Sequence, residues 1–136
     1  SRVGMPDYIL FFRKDEPNPE PITHTSEDLP VEWWQELASP VWMTVNQSRV
    51  LNGRQAKSEQ DEKHICPLQL DVIERCLTLY SNPGDLVLDP FNGIGSTGWQ
   101  ALKMNRRYLG VELKPEYAAQ AAKFLVEAEA SRDTLF

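Results

Sequence analysis

Apolar and polar positions alternate most regularly in the second half of the chain. Between residues 70 and 80 the apolar residues recur every three or four positions, which predicts an amphipathic helix. Pro67 suits the first turn of this helix, where its missing N–H is no loss, and Arg75 falls on the polar face. The residues SNPG at positions 81–84 predict the turn that ends the helix.

Two short apolar runs follow; the first is expected to form a buried strand and the second another strand. They lie at residues 85–89 (DLVLD) and 107–112 (RYLGVE). A helical pattern follows each run; Ser96 or Thr97 is the expected N-cap of the first helix, and Pro115 opens the second. Strands that alternate with helices predict an α/β fold in which helices flank a mostly parallel sheet.

The first half of the chain is less regular. Residues 8–12 (YILFF) are a short apolar run that predicts a strand buried on both faces. Residues 15–28 have the proline and carboxylate content of a loop, residues 31–37 predict a short helix, and residues 39–62 are expected to be irregular. The chain thus divides into a strand region at residues 1–14, an irregular insertion at 15–62 and an α/β portion at 63–130.

Composition narrows the classes of protein that this chain can belong to. The sequence has no run of ~18 apolar residues of the kind that crosses a membrane, and no signal segment begins the chain, so a cytoplasmic protein is expected. The two cysteines form neither a disulfide framework nor a zinc-ligand spacing, and no metal site is predicted. The net charge of −6 argues against a free-standing DNA-binding protein, although short basic stretches surround Arg49 and Arg106.

The loop after the first predicted strand is the strongest candidate for a binding site. Gly93 and Gly95 allow a tight turn and let the backbone approach a ligand closely. The helix that follows directs its free N–H groups at the same place. Glu112 ends the next strand 23 positions after Asp89, and an acid at this distance is suited to accept hydrogen bonds from ribose hydroxyls.

Two cofactors fit this arrangement. Residues 93–98 satisfy the dinucleotide pattern G-x-G-x-x-G, which indicates NAD. S-adenosylmethionine also fits, since it has a ribose and a cationic sulfonium but no phosphate. Asp89 favours the methyl donor, because a carboxylate just before the glycines would repel a pyrophosphate and attract the charged methionine part of S-adenosylmethionine.

Three segments resemble the amino-directed DNA methyltransferases, which methylate N6 of adenine or N4 of cytosine. Residues 89–97 (DPFNGIGST) resemble the DPFxGxGTT cofactor motif of that family, and residues 62–69 (EKHICPLQ) resemble its KHPxQKP element. Residues 107–112, followed by Tyr117, resemble its R-x-Y-x-G-x-E…Y element. The segments stand in the family's order, and residues 5–43 are similar to phage-type adenine methyltransferases.

The resemblance implies a Rossmann-like, S-adenosylmethionine-dependent methyltransferase fold and methylation of specific sites in double-stranded DNA, at N6 of adenine before N4 of cytosine. It assigns cofactor contacts to Lys63, His64, Asp89, Pro90, Phe91, Asn92, Gly93, Gly95, Ser96, Thr97 and Glu112. Relatives keep a target-recognition segment where this chain has residues 15–62, so Arg49, Asn52 and Arg54 are expected to contact DNA. Ile65, Cys66 and Leu70 depart from the family pattern, and we interpret them as subgroup traits.

The catalytic element of the family is absent from this sequence. That element is a tetrapeptide with two adjacent prolines between a polar residue and an aromatic residue, and this chain has no Pro-Pro pair. The nearest imitation, SPVW at residues 39–42, lacks the second proline. We therefore expect the cofactor-binding C-terminal portion of a methyltransferase, in which residues 1–14 belong to the catalytic half and residues 63–130 form the cofactor subdomain.

A portion of this kind is not expected to methylate DNA by itself, and it is not expected to be a monomer. In the family's sheet the strand at residues 85–89 has the catalytic strand beside it, and without that neighbour it exposes an apolar edge. Self-association, or a complex with the missing part, is expected. Two alternatives remain: a non-catalytic module that binds cofactor or DNA for a partner, and an NAD-binding oxidoreductase domain.

Overall fold

A computed structural model describes residues 7–51 and 67–133 and shows an α/β arrangement with a parallel sheet. Its two strands pair in parallel, with Leu86 opposite Arg107 and Asp89 opposite Gly110. The elements in chain order are α1 (Val31–Leu37), α2 (Leu70–Tyr80), β1 (Leu86–Asp89), α3 (Ser96–Lys103), β2 (Arg107–Gly110) and α4 (Pro115–Asp133). The predicted order of helices and strands from α2 to α4 is therefore confirmed, as is the short helix α1.

Four boundaries differ from their predictions. Strand β1 begins at Leu86 rather than Asp85. Helix α2 begins at Leu70 rather than Pro67, and Gln69 is its N-cap. Strand β2 ends at Gly110, so Glu112 lies beyond the strand and not at its last position. The N-cap of α3 is Gly95 rather than Ser96 or Thr97, because the chain enters this helix through a left-handed conformation (φ 90°) that glycine adopts without strain.

The core lies on one face of the sheet. Helix α3 packs against α2, α4 and both strands. The central cluster consists of Leu70, Ile73, Leu77 and Ala101, with Val87, Trp99, Met104 and Tyr108 packed against it. Burying these side chains supplies the main stabilising free energy of the domain, at roughly 1.5–3 kcal/mol for each fully buried large apolar side chain.

The other face of the sheet is uncovered in the part of the chain that the structure describes. Leu86 and Leu88 on β1 are 55% and 58% exposed, and Leu109 on β2 is 54% exposed. The prediction that β1 is buried is therefore wrong for one face. Apolar residues point both ways along β1, as in a strand covered on both sides, but the described chain supplies helices for only one side. We call Leu86, Leu88, Leu109 and Val111 the apolar sheet face.

The strand predicted at residues 8–12 is not formed. Residues 7–14 have no regular secondary structure, and Tyr8, Leu10 and Phe12 are exposed. Phe11 is also exposed, although its ring stacks on Tyr80 at 4.0 Å between ring centroids. A strand requires a neighbouring strand to accept its backbone hydrogen bonds, and none of the described segments pairs with this run. Its assignment to a catalytic half stays a prediction.

Arg75 is buried, although the helical pattern placed it on the polar face of α2. Its Nη2 donates to Glu36 Oε1 at 2.6 Å and to Thr44 Oγ1 at 2.8 Å, and its guanidinium lies 5.4 Å from the centroid of the Trp42 ring. The segment from α1 to Leu51 folds over this side of α2, which periodicity within one helix cannot reveal. Among the described helices, none combines the length and apolar character that a membrane span requires.

Candidate cofactor site

The loop between β1 and α3 turns back on itself through local hydrogen bonds. Asp89 Oδ1 accepts a bond from the Phe91 N–H at 2.9 Å, and the Gly95 N–H donates to the Asn92 carbonyl at 2.9 Å. Gly93 and Gly95 both have positive φ, at 53° and 90°. The backbone conformation therefore accounts for the predicted glycines at these two positions, since a side chain would strain the backbone there.

Glu112 anchors this loop from the neighbouring strand's end. Its Oε2 accepts a hydrogen bond from the Gly93 N–H at 2.7 Å, and its Oε1 accepts one from the Lys114 N–H at 2.9 Å. The Lys114 N–H is the main cause of a lowered pKa for Glu112; the Gly93 N–H adds to it, and both outweigh the opposing effect of burial. The carboxylate thus stays ionised near neutral pH, and each oxygen keeps a further lone pair for a ligand hydroxyl.

An open cavity of about 350 Å³ lies beside the loop. Its lining comprises Pro67, Leu68, Asp89, Phe91, Asn92, Gly93, Ile94, Ser96, Thr97 and Tyr117. Six of the predicted cofactor residues thus face one space. The size is within the range of small-molecule sites, and the Phe91 ring is 89% exposed at its rim.

One polar atom of the lining is unusual. The Ser96 hydroxyl is buried and has no hydrogen-bond partner among the described residues. No side chain caps the N-terminus of α3, at which Ser96 is the first residue. A buried hydroxyl without a partner is costly, and a free helix N-terminus favours negative charge. This end of the cavity therefore fits an anionic group such as a carboxylate.

Other predicted site residues lie elsewhere. Pro90 and Gly95 belong to the same loop but do not line the cavity, and Glu112 reaches it through Gly93. Four predicted contacts fall outside the described residues: Lys63, His64, Asn52 and Arg54.

Three of the arginines that the structure describes are engaged in local bonds. Arg49 pairs with Asp71 at 2.7 Å and with Glu74, both on α2. Arg106 is buried and donates to the Ser81 carbonyl at 2.8 Å. Arg107 Nε donates to the Gly84 carbonyl at 2.9 Å. These three arginines join segments of the fold, and the expected contact of Arg49 with DNA stays a prediction.

Two tyrosines of the site were not predicted to belong to it. Tyr117 lines the cavity. Tyr108 donates a hydrogen bond from its hydroxyl to Asn92 Oδ1 at 2.6 Å. The resemblance of residues 107–112 and Tyr117 to one family element was the available signal for both.

The fold and the loop define the class of protein first. A parallel sheet flanked by helices, with a glycine loop after one strand and an acid after the next, is the Rossmann-like α/β fold of S-adenosylmethionine-dependent methylases. The sequence profile of the DNA methylase family matches residues 3–123. The chain therefore belongs to the amino-directed (N6/N4) DNA methylases, a family that uses S-adenosylmethionine as its methyl donor.

Similar proteins include restriction-modification enzymes. The chain is 38% identical over 95 residues to the type II methyltransferase M1.MboII of Moraxella bovis, a match that covers 68% of this chain and 35% of that enzyme. It is 37% identical over 59 residues to the DNA adenine methyltransferase YhdJ of Escherichia coli K12, covering 43% of this chain and 20% of YhdJ.

A solved structure agrees with this assignment. TTHA0409 of Thermus thermophilus, determined in complex with S-adenosyl-L-methionine, has a TM-score of 0.63 and 29% sequence identity to this chain. The match covers 86% of this chain and 41% of TTHA0409. The chain thus spans about a third to two fifths of the length of M1.MboII and TTHA0409.

The carboxylates of the fold make its stability depend on pH. Glu36, Asp71 and Glu112 have lowered pKa values in the folded chain. A hydrogen bond from Thr44 is the main cause for Glu36. For Asp71 desolvation raises the pKa, but bonds from Arg49 and the Asn46 N–H outweigh it. A lowered folded pKa contributes stability above the unfolded pKa, and this contribution is lost as pH falls through the folded pKa.

We therefore expect the free energy of unfolding to decline as pH falls below about 4.5, the ordinary pKa of Glu. Urea denaturation at a series of pH values from neutral to acidic would measure this decline. Arg49→Ala is the matched control, because it removes the bond that lowers the pKa of Asp71 and should make the decline shallower. Stability that rises on acidification would contradict the assignment of these carboxylates.

Proposed function

We propose that this chain binds S-adenosylmethionine and is the cofactor-binding portion of a site-specific DNA methyltransferase that acts on N6 of adenine, with N4 of cytosine as the second choice. The observation that carries the proposal is the Glu112 carboxylate bonded to the Gly93 N–H beside an open cavity. When bound, the cofactor supplies a methyl group activated by its sulfonium charge.

The residues around the cavity divide the binding of this cofactor among them. Glu112 accepts hydrogen bonds from the ribose hydroxyls through lone pairs that Gly93 and Lys114 leave free. Asp89 attracts the positive charge of the methionine part. The Ser96 hydroxyl and the N-terminus of α3 bind its carboxylate, and the exposed ring of Phe91 packs beside the adenine.

The same cavity suits NAD less well. A dinucleotide would bring a pyrophosphate to the loop, where the carboxylates of Asp89 and Glu112 already lie. Membership of the DNA methylase family also favours the methyl donor over the dinucleotide.

Methyl transfer itself requires residues that this sequence lacks. Without a Pro-Pro tetrapeptide, nothing in the chain holds the target amino group in the way the family does. We propose that the remainder of the methyltransferase domain covers the apolar sheet face and brings this element to the cofactor. Residues 15–62 would then serve as part of the DNA-recognition segment, with Asn52 and Arg54 rather than the ion-paired Arg49 as its contacts.

Calorimetric titration with S-adenosylhomocysteine tests the proposal, with NAD as the control ligand. We expect the first to bind and the second not to bind. If a folded, monodisperse chain binds neither, the cofactor site is wrong, and a non-catalytic module becomes the better description.

A labelled methyl-transfer assay on duplex DNA separates the two leading candidates further. Because the tetrapeptide is absent, we expect methyl transfer by the chain alone to stay at the background level. Transfer by the unaided chain would show that catalytic residues are present and that the expected role of the missing portion is wrong.

A further inference from the structure

Tyr108 lies on β2 in a space that two glycines leave open. A Cβ atom on Gly98 would stand 2.4 Å from Tyr108 Cε1, and a Cβ atom on Gly110 would stand 2.9 Å from the Tyr108 hydroxyl. Both distances are shorter than real side chains tolerate, and a side chain at either position would require Tyr108 and its neighbours Leu125 or Asn92 to move. The fold is arranged so that this ring and its hydroxyl occupy one defined place.

The hydroxyl of Tyr108 holds the side chain of Asn92. It donates to Asn92 Oδ1 at 2.6 Å. The backbone of Asn92 is held as well, because its N–H donates to the Val111 carbonyl and its carbonyl accepts from the Gly95 N–H, both at 2.9 Å. Asn92 is thus the point at which the glycine loop is fastened to the end of the neighbouring strand.

This fastening acts directly on the cofactor site. Asn92 lines the cavity and precedes Gly93, whose N–H donates to Glu112. A change in the backbone conformation of Asn92 would move the Gly93 N–H away from that carboxylate. Burial, followed by the charge of Asp89, raises the pKa of Tyr108, so the hydroxyl keeps its proton and remains a donor at every physiological pH.

We propose that Tyr108 is a positioning residue for the cofactor loop: through Asn92 it keeps the Gly93 N–H on Glu112 and so orients the carboxylate that binds the ribose. The inference rests on the proposed function and adds a residue that contacts the loop and does not line the cavity. The residues that carry it are Tyr108, Asn92 and the two glycines that make room for the ring.

Tyr108→Phe tests the inference, since it removes one hydroxyl and keeps the ring. We expect the dissociation constant for S-adenosylhomocysteine to rise about threefold to tenfold, the effect of one lost hydrogen bond. Tyr80→Phe is the matched control, because it also removes one tyrosine hydroxyl. Tyr80 is half exposed, and its ring stacks on Phe11, which does not belong to the cofactor loop. The control should bind as the wild type does.

A double-mutant cycle separates positioning from general stability. With Asn92→Ala in place, the further change Tyr108→Phe should have no additional effect on the dissociation constant, because the hydroxyl no longer has its partner. Additive effects of the two changes, or an unchanged dissociation constant in Tyr108→Phe, would overturn the inference.

Amide hydrogen exchange at Gly93 decides the same question without any cofactor. Tyr108→Phe should accelerate exchange of the Gly93 N–H, while Tyr80→Phe should not. If the wild-type chain fails to bind S-adenosylhomocysteine, the proposed function fails, and the exchange rate still shows whether Tyr108 positions the loop. An unchanged rate at Gly93 would refute the positioning role by itself.

Discussion

Glu112→Ala is expected to weaken the binding of S-adenosylhomocysteine by about a hundredfold, because hydrogen bonds to a charged acceptor are stronger than those between neutral groups. The change removes the carboxylate that would accept both ribose hydroxyls. It also frees the Gly93 N–H, whose 2.7 Å bond to Glu112 holds the glycine loop in place. Calorimetry on the purified variant measures the loss directly.

Two further variants make this result specific. Glu116→Ala removes a carboxylate from the exposed first turn of α4 and should bind the ligand normally. Glu112→Gln keeps an oxygen for the Gly93 N–H but loses the charge, so its affinity should fall between the wild type and Glu112→Ala. If Glu112→Ala binds as tightly as the wild type, the ribose is held elsewhere and the proposed orientation of the cofactor is wrong.

The apolar sheet face gives the second large effect. We expect the wild-type chain to self-associate at tens of micromolar, and the double variant Leu88→Glu/Leu109→Glu to be a monomer. Leu88 and Leu109 pair across the two strands and are both more than half exposed, so two carboxylates placed there would have to be desolvated in any interface. Each leucine removed also forfeits the burial of its exposed half in the interface, roughly 1 kcal/mol.

Light scattering across a dilution series measures this change. Val126→Glu is the control, since Val126 is 65% exposed on α4, away from the sheet, and it should leave the association intact. A wild-type chain that is monomeric throughout the series would contradict the prediction. The uncovered face would then lack enough apolar area for a self-contact.

The proposed packing of the rest of the domain also concerns the apolar sheet face. The chain covers 41% of TTHA0409 with a TM-score of 0.63, and we propose that further structure packs on that face. If the remaining portion of the domain occupies that face, the leucine substitutions should impair both self-association and assembly with that portion. The two contacts would compete for one surface.

Much of the α/β portion is determined locally and was therefore predictable. Patterns of a few neighbouring residues predicted the helix from Leu70 to Tyr80, the turn at residues 81–84 and the two strands. The glycine loop was also predictable from the sequence, because Gly93 and Gly95 occupy left-handed conformations that other residues avoid. The resemblance to the amino-directed methylases depended on residues 62–69, 89–97 and 107–112 with Tyr117, and the family match confirmed it.

Other features depended on contacts between distant segments. Arg75 is buried because Glu36 and Thr44 are brought to it from the first half of the chain. Residues 8–12 remain without a strand, since a strand exists only where another one pairs with it. Periodicity describes which face of an element is apolar, but it does not say whether anything covers that face.

The candidate site divides in the same way. Sequence alone determined which residues form the cofactor loop and that an acid follows the next strand, because turn geometry and spacing are local properties. Only the tertiary structure decided that Glu112 bonds to Gly93, that Tyr108 holds Asn92 and that the Ser96 hydroxyl is left without a partner among the described residues. The two hydrogen bonds join separate elements, and the state of the Ser96 hydroxyl depends on the atoms that surround it. Both are set by how β1, β2 and α3 pack together.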